Sequence, residues 1–369
     1  MKSTLIIFFI ALSLSESKLR NMTTMQITKE MGIGINLGNT LECFGDWIWE
    51  WGDHTPISYE TAWGSPKIEK EMIEGIKSEG FGVMRLPVHW FNMMGEDYTI
   101  NEDYLYRVKQ IIDWAIDAKL YVILNIHHDE NDFFKNFPTK TEETLKNYKK
   151  IWTQLAEAFK DYDDYLMFES LNEEACWNDV FNPWSGTNEG KQEVFDYTYQ
   201  LNQAFVDVIR NSGGNNPERH LLIAGYCTGV DYSCDPLFKM PNDPIKRFAV
   251  SMHYYTPSTF CILTEDADWG KAQSTWGTND EIKELNKNFD LIKSTLIDKG
   301  IAVIIGEYGA PTENKEISSV RNFLYSVCKA AYDRDILPIL WDTPGGYYNR
   351  NTRMMSDPVL KEMLNSVKS

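Results

Sequence analysis

Eight short runs rich in apolar and β-branched residues recur along the chain, with amphipathic stretches of helical length between most of them. No other feature constrains the fold as tightly. The runs are GIGINLG (32–38), GVMRLPV (82–88), YVILNIH (121–127), LMFESLN (166–172), HLLIAGY (220–226), FAVSMHYY (248–255), AVIIGEYG (302–309) and ILPILWD (336–342). Most are near-continuously apolar, as expected of parallel strands covered on both faces. Helical patterns occupy 66–79, 102–118, 141–160, 190–211, 279–299, 316–333 and 356–367. In the second of these, Tyr104, Leu105, Val108, Ile111, Ile112 and Ala115 fall on one helical face. The fifth connection, 227–246, carries the breakers Asp235-Pro236 and Asn242-Asp243-Pro244 and is expected to be irregular. Eight β/α units in 369 residues predict an α/β fold, a single (β/α)8 TIM barrel with elaborated loops on its carboxyl-end face. A doubly wound sheet would more often show a glycine-rich phosphate turn after its first strand. Here that strand leads into Gly38-Asn39-Thr40.

In a barrel, reactive groups sit at the carboxyl ends of the strands. Those ends read Asn36, Arg85, His127, Asn172-Glu173, His253 with Tyr255, Glu307 and Trp341, whereas the opposite ends are mostly apolar or glycine. Any one of these residues has a bland explanation, such as half of an ordinary ion pair. Their collection on one face has none in barrel stability.

Two carboxylates on facing strands suit glycosidic bond cleavage, in which an acid protonates the departing oxygen and a carboxylate meets the oxocarbenium-like carbon. Glu173, after the fourth strand, and Glu307, on the seventh, are the candidates. Arg85 and Tyr255 would keep Glu307 ionised as nucleophile, and burial beside a second negative charge would raise Glu173 into the role of acid/base. His253 would tune Glu173 or bond the sugar. Asn172 would offer its amide to a sugar hydroxyl. Glu169, inside the fourth run, is expected to be a paired structural carboxylate. His127 alone of the adjacent pair His127-His128 should face the site, since neighbours on a strand point to opposite faces. The loop tryptophans Trp47, Trp49, Trp51, Trp177 and Trp184 are candidates to stack on sugar rings, although the first three alternate and could share one face of a short strand.

The formal charge of −18 disfavours nucleic acid and anionic membranes as partners, and a neutral substrate fits best. At the N-terminus, Lys2 precedes the apolar run LIIFFIAL (5–12) and small serines, which reads as a signal peptide over 1–17 ahead of a mature domain over 18–369. The run is too short to span a bilayer, which needs about 20 apolar residues. Export is expected, with Asn21-Met22-Thr23 a glycosylation sequon in a eukaryotic source. The cysteines Cys43, Cys176, Cys227, Cys234, Cys261 and Cys328 show no metal spacing; six allow 15 pairings, so connectivity is open, and Cys227 and Cys234 are close enough in sequence to be one candidate small loop.

The stretches NLGNTLE (36–42), MRLPVHW (84–90), ILNIHHD (123–129), SLNE (170–173), HYY (253–255), IGEYG (305–309) and LWD (340–342), in this order, resemble glycoside hydrolase family five, the cellulase family. The resemblance runs from about residue 25 to the C-terminus. It implies a barrel of retaining hydrolases with Glu173 as acid/base, Glu307 as nucleophile, and supporting roles for Arg85, His127, Asn172, His253, Tyr255 and Trp341. Trp341 would be the platform under the sugar, and the Trp341–Asp342 peptide is expected to be cis. Where the family usually has proline after the acid, this chain has Glu174, so the loop there loses a backbone constraint. The expectation is a secreted monomeric endo-β-1,4-glucanase with no cofactor and no metal, acting on a β-linked polysaccharide. Alternatives are the same chemistry on xyloglucan, mixed-linkage glucan, mannan or a glucosylated lipid, and, more distantly, a non-catalytic carbohydrate-binding barrel.

Overall fold

The computed structural model describes residues 19–128, 133–173 and 176–368, with every side chain among them except those of Trp49 and Trp51. The leader expected at 1–17, Asp129 and Glu174 lie outside the described residues.

All eight expected strands form. They are β1 (Gly34–Asn36), β2 (Val83–Leu86), β3 (Tyr121–Asn125), β4 (Leu166–Glu169), β5 (Leu221–Ala224), β6 (Phe248–Tyr254), β7 (Ala302–Tyr308) and β8 (Leu337–Leu340). They close in sequence order, with β8 pairing β1 and each strand parallel to its neighbour. Most are shorter than the runs that announced them, because the last residues of those runs leave the ladder to build the loops of the carboxyl-end face.

Period-2 alternation sorts each strand into two environments. Met84, Leu86, Val122, Leu124 and Phe168 point outward into the layer shared with the surrounding helices. Val83, Ile123, Met167, Leu222, Ala249, Ile304 and Ile339 fill the lower interior of the barrel. One step further along the same inward rows the residues turn polar: Arg85 follows Val83, Glu169 follows Met167, and Ser251 follows Ala249, all buried. The barrel is thus oil below and charge above, and the site grows from the charged layer.

The helices Lys70–Ser78, Glu102–Asp117, Thr141–Ala158, Lys191–Arg210, Asn279–Thr295, Ile317–Tyr332 and Pro358–Ser366 match the sequence patterns. Their starts carry local signals: Asn101 accepts the N–H groups of Asp103 and Tyr104, and Thr278 with Glu281 forms a capping box. The fifth connection is irregular as expected, with only the turn Val230–Ser233 as α-helix. Thr24–Met31 is an additional helix, to which no expectation was attached. It starts with a Thr23/Gln26 capping box and drives Ile27 and Met31 into the amino end of the barrel as a plug.

The disulfide joins Cys176 to Cys227, so the candidate Cys227–Cys234 loop does not form. Cys234 ends the Val230–Ser233 turn, and its thiol hydrogen-bonds Thr295 on a neighbouring helix, away from Cys227.

Candidate active site

Arg85 organises the carboxyl-end face. Its side chain is fully buried on β2. Nε donates to Glu169 Oε2 at 2.7 Å, Nη1 to Glu307 Oε1 at 2.7 Å and Asn36 Oδ1 at 3.0 Å, and Nη2 to Asn172 Oδ1 at 2.8 Å. Four strands or strand ends therefore meet on one guanidinium, and its planar fork sets their relative positions. Glu169 takes Ser251 Oγ on its other oxygen at 2.9 Å, which makes it the paired structural carboxylate that was expected. Asn36 donates its amide to the carbonyls of Gly306 and Leu340. With its oxygen on Arg85 and its side chain buried, Asn36 has no edge left for a ligand. That corrects its expected role as a substrate contact: it holds Arg85.

Glu307 and His253 are brought side by side by a break in the ladder. Between β6 and β7, Met252 pairs Ile305 but His253 pairs Glu307, so Gly306 is the extra residue. A Cβ on Gly306 would stand 3.2 Å from His253 Nε2 and from Ser251 Oγ, which explains the glycine. Tyr255, just past β6, donates its hydroxyl to Glu307 Oε2 at 3.0 Å. His253 Nδ1 lies 2.5 Å from Glu173 Oε1 and 3.6 Å from Glu307 Oε2. One donor atom from each of Glu173, His253 and Glu307 lies within 4.8 Å of the others.

The charges differ from the sequence expectation at both carboxylates. Burial works to raise Glu173, but the hydrogen bond and charge of His253, helped by Arg85, outweigh it and hold Glu173 below the ordinary carboxylate range. Its side chain is about half exposed (49%), against 8% for Glu307. Glu307 is the one that desolvation raises, against the pull of His253 and Arg85. Burial disfavours charge on His253, yet the two carboxylates raise it overall. Tyr255 is raised well above the ordinary phenol value by burial and Glu307, and so stays a hydrogen donor.

His127 follows β3 and is neutral, since burial and its cationic neighbours hold it well below its ordinary value. Asn125 accepts the Val88 N–H on its oxygen at 3.2 Å, so its amide nitrogen is the atom 3.1 Å from His127 Nδ1. That makes Nδ1 the acceptor and leaves the ring proton on Nε2. Nε2 lies 3.4 Å from Asn172 Nδ2, whose oxygen is taken by Arg85. Two N–H donors thus stand side by side, an arrangement that can bracket one acceptor oxygen. Trp341 follows β8 with its ring nearly parallel to His127 (6°, centroids 6.0 Å apart). His128 adopts φ 59° and packs towards Phe44 and Trp63, yet its charge still bears on Glu173, so the expectation that His127 alone serves the site is too narrow.

Asn125 and Ser251 escaped the sequence reading, although each lies two residues before a chosen strand-end histidine on the same inward row. The structure also corrects Trp177. Its indole is buried, donates to the Phe134 carbonyl at 2.9 Å and packs among Phe137, Tyr197 and Tyr226, so it is core and not a sugar platform. Trp47 is 41% exposed on the short helix Asp46–Trp51, where a strand had been the alternative. Trp184 is exposed. The Trp341–Asp342 peptide, expected cis, is trans: among the described residues the cis bond is Thr256–Pro257. In the trans form the Asp342 carbonyl takes the Gly38 N–H at 3.0 Å, and its carboxylate takes the N–H groups of Tyr347 and Tyr348. The loop therefore closes with its polar groups satisfied.

Two hollows flank the carboxylates. One of about 370 Å3 is lined by Glu173, His253 and Tyr255 with residues of the loops after β5 and β6. The other, about 470 Å3, is lined by Tyr255, Trp341 and the loops after β7 and β8. Tyr255, which holds Glu307, lines both hollows, and Glu173 lines the first.

Comparison with known proteins gives the family. The family model described as cellulase (glycosyl hydrolase family 5) matches residues 51–345. Endoglucanase A of Clostridium longisporum is 36% identical over 342 residues, covering 91% of this chain and 63% of that protein. Endoglucanase B of Clostridium cellulovorans is 35% identical over 333 residues, covering 89% and 70%. The chain thus spans less than two thirds of the first of these relatives. Among solved structures, a GH5-4 broad specificity endoglucanase from an uncultured bovine rumen ciliate is similar with a TM-score of 0.83 and 34% identity, over 94% of this chain and 98% of that one. A glycoside hydrolase 5 lichenase from Caldicellulosiruptor sp. F32, in complex with cellotetraose, is similar with a TM-score of 0.87 and 31% identity over the whole of both chains.

Proposed function

This chain belongs to the cellulase family, glycosyl hydrolase family 5, and we propose that it is a secreted retaining endo-β-1,4-glucanase with Glu307 as nucleophile and Glu173 as acid/base. The observation that carries the reading is the approach of the two carboxylates, with oxygens within 4.8 Å of one another. That gap suits the ~5–5.5 Å of retaining enzymes and is too narrow for the water that inverting enzymes seat across ~6.5–9.5 Å.

The roles follow from the partners. Glu307 is gripped by Arg85 and Tyr255, which fix its oxygens and favour its anion, and its deep position keeps water off a nucleophile. Glu173 stands nearer solvent, where a leaving group departs and a water enters. A glycan in the cleft removes the exposed half of Glu173 from water. The charged His253–Glu173 pair is then costlier to bury than its neutral form, and the proton moves along the 2.5 Å bond from Nδ1 to Oε1. Glu307 attacks the anomeric carbon, the carbon–oxygen bond breaks, and the Glu173 proton goes to the departing oxygen. In the second step Glu173 takes a proton from water, whose oxygen displaces Glu307 and restores the anomeric configuration. Asn172 and His127 would bracket a hydroxyl of the ring at the cleavage point, and Trp341 would lie under that ring.

Glu307→Gln should abolish turnover of carboxymethylcellulose while circular dichroism and Tm stay near wild type. Near-normal hydrolysis by that variant, or release of the inverted anomer by wild type in an NMR time course, would refute the reading. A panel of cellulose, mixed-linkage glucan, xyloglucan and mannan distinguishes the preferred glycan.

A further inference from the structure

We propose that the Cys176–Cys227 disulfide is a positioning crosslink for the acid, holding the loop that carries Glu173 against the wall that receives the leaving group. The proposal rests on the reading of Glu173 as acid/base.

The two carboxylates are not equally anchored. Glu307 lies within β7 and is held by Arg85 and Tyr255. Glu173 lies four residues beyond the end of β4, and among the described residues its side-chain hydrogen bond is the one to His253. A general acid must keep its carboxyl oxygen within about 3 Å of the oxygen it protonates, and a loop offers less precision than a strand. The covalent link enters three residues after Glu173, at Cys176, and ties it to the loop after β5 with the Cα atoms 5.1 Å apart.

The partner end is no ordinary loop. Cys227 and Thr228 are consecutive non-glycine residues at φ 48° and 47°, a region side chains disfavour. Cys227, Thr228 and Gly229 form one wall of the hollow that Glu173 and His253 also line. Acid protonation delivers the departing sugar to the Glu173 side of the cleft, so this wall is the first surface it meets. The crosslink therefore joins the proton donor to the surface that fixes the acceptor oxygen. Trp177, next along the chain, supplies a second fastening through Phe134 and Tyr226. Loss of the disulfide should thus loosen the loop without unfolding the barrel.

The test uses aryl β-cellobiosides. A phenyl leaving group needs proton donation, whereas 2,4-dinitrophenolate leaves without it. Full general acid catalysis is worth about 100- to 10,000-fold, and a displaced acid should forfeit part of that. Cys176→Ser with Cys227→Ser is expected to lower kcat/KM about 10-fold or more on the phenyl substrate while the dinitrophenyl substrate changes less than about 3-fold. Reduction of the wild type by dithiothreitol, in which the disulfide gains two electrons and two protons and the dithiol closes to its cyclic disulfide, should reproduce the selectivity reversibly. Partial unfolding lowers both rates by one factor, so an equal fall on the two substrates, or no fall on either, overturns the proposal. Glu173→Gln is run in parallel. If it shows the selectivity and the cysteine pair does not, only the crosslink fails; if it shows none, the acid assignment falls and takes the crosslink proposal with it.

Discussion

Replacing Arg85 with methionine tests the charged layer at its centre. The change keeps the volume and removes the cation from two buried carboxylates, Glu169 and Glu307, each 2.7 Å from it. Removing one partner of a buried ion pair costs ~3–5 kcal/mol. For a chain of 369 residues, at roughly 2.1 cal/mol/K per residue, that corresponds to a Tm lower by about 4–7 °C, and the protein stays folded at 25 °C. The effect on activity has its own sign. Burial already raises Glu307 and Arg85 opposes that, so losing Arg85 raises it further. The nucleophile must be ionised, so activity is lost from the acid side. An opposite charge at this range biases ionisation by about 10- to 1,000-fold. The acid limb of kcat/KM against pH should move upward, with the deficit about that large at low pH and narrowing as pH rises. Arg85→Met with Glu169→Gln separates the two consequences. The amide keeps its bond to Ser251 and relieves one buried charge, so Tm should recover in part, while Glu307 still lacks its cation and activity should not. A pH profile for Arg85→Met that superposes on wild type, or recovery of activity in the double variant, would refute the reasoning.

Tyr255→Phe removes one donor from Glu307 and should lower kcat about 10- to 100-fold with a Tm lower by no more than about 2–4 °C, since a hydrogen bond to a charged group is worth ~1.5–3 kcal/mol. Trp341→Ala and Trp177→Ala should dissociate binding from stability: the first raises KM for glucan, and the second lowers Tm through loss of ~3–5 kcal/mol of packing with KM near wild type; the opposite pattern would restore Trp177 as a sugar contact. Glu42 is buried and pushed up to about 7 by desolvation, despite the N–H groups of Thr40 and Asn39. A carboxyl raised in the folded state costs stability as pH climbs from its unfolded value through its folded one, here from 4.5 to about 7 and by up to ~3 kcal/mol. The Tm of Glu42→Gln should therefore gain on wild type across that window and merge with its trend below pH 4.5, and a gap independent of pH between 4.5 and 8 would count against it.

How much of this was legible depended on the range of the interaction. Strand identity follows from local apolar runs and strand order from the barrel they imply, which is why Arg85, His127 and Glu307 could be placed on one face from the sequence. Trp177 failed because its fate is set by where the loop after β4 lies. Tied through Cys176 to the loop after β5, its ring lands on Tyr226 and the core. The cysteine pairing stayed open for a related reason. Nearness in sequence favoured Cys227 with Cys234, but one turn of helix between them aims the second thiol at Thr295. Asn36 was read as a ligand contact because it stands at a strand end, yet saturation of an amide by carbonyls on β7 and β8 is visible only once the barrel has closed. The plug helix was within reach: Thr23, Gln26, Ile27 and Met31 spell a capped amphipathic turn.

The ionisation of the two glutamates is where sequence and structure part most instructively. The sequence argument raised Glu173 through burial beside a second negative charge, and took Arg85 and Tyr255 to keep Glu307 ionised. Burial is unequal: the deep acid is raised and the half-exposed one is held down by His253. These directions favour the shared proton on the imidazole between the two carboxylates rather than on Glu173, and a bound substrate would shift that balance. That arrangement makes His253 more than a neighbour. His253→Asn offers a hydrogen bond but no titratable proton, so it removes the charge that holds Glu173 down, lets burial push that carboxyl up, and leaves no imidazole proton to draw on. The loss should be severe for a phenyl leaving group and slight for 2,4-dinitrophenyl, and lowering the pH should recover the phenyl rate as Glu173 takes its proton from solvent. A variant that loses both rates equally, with no recovery at low pH, would show that His253 only shapes the site and does not supply its proton.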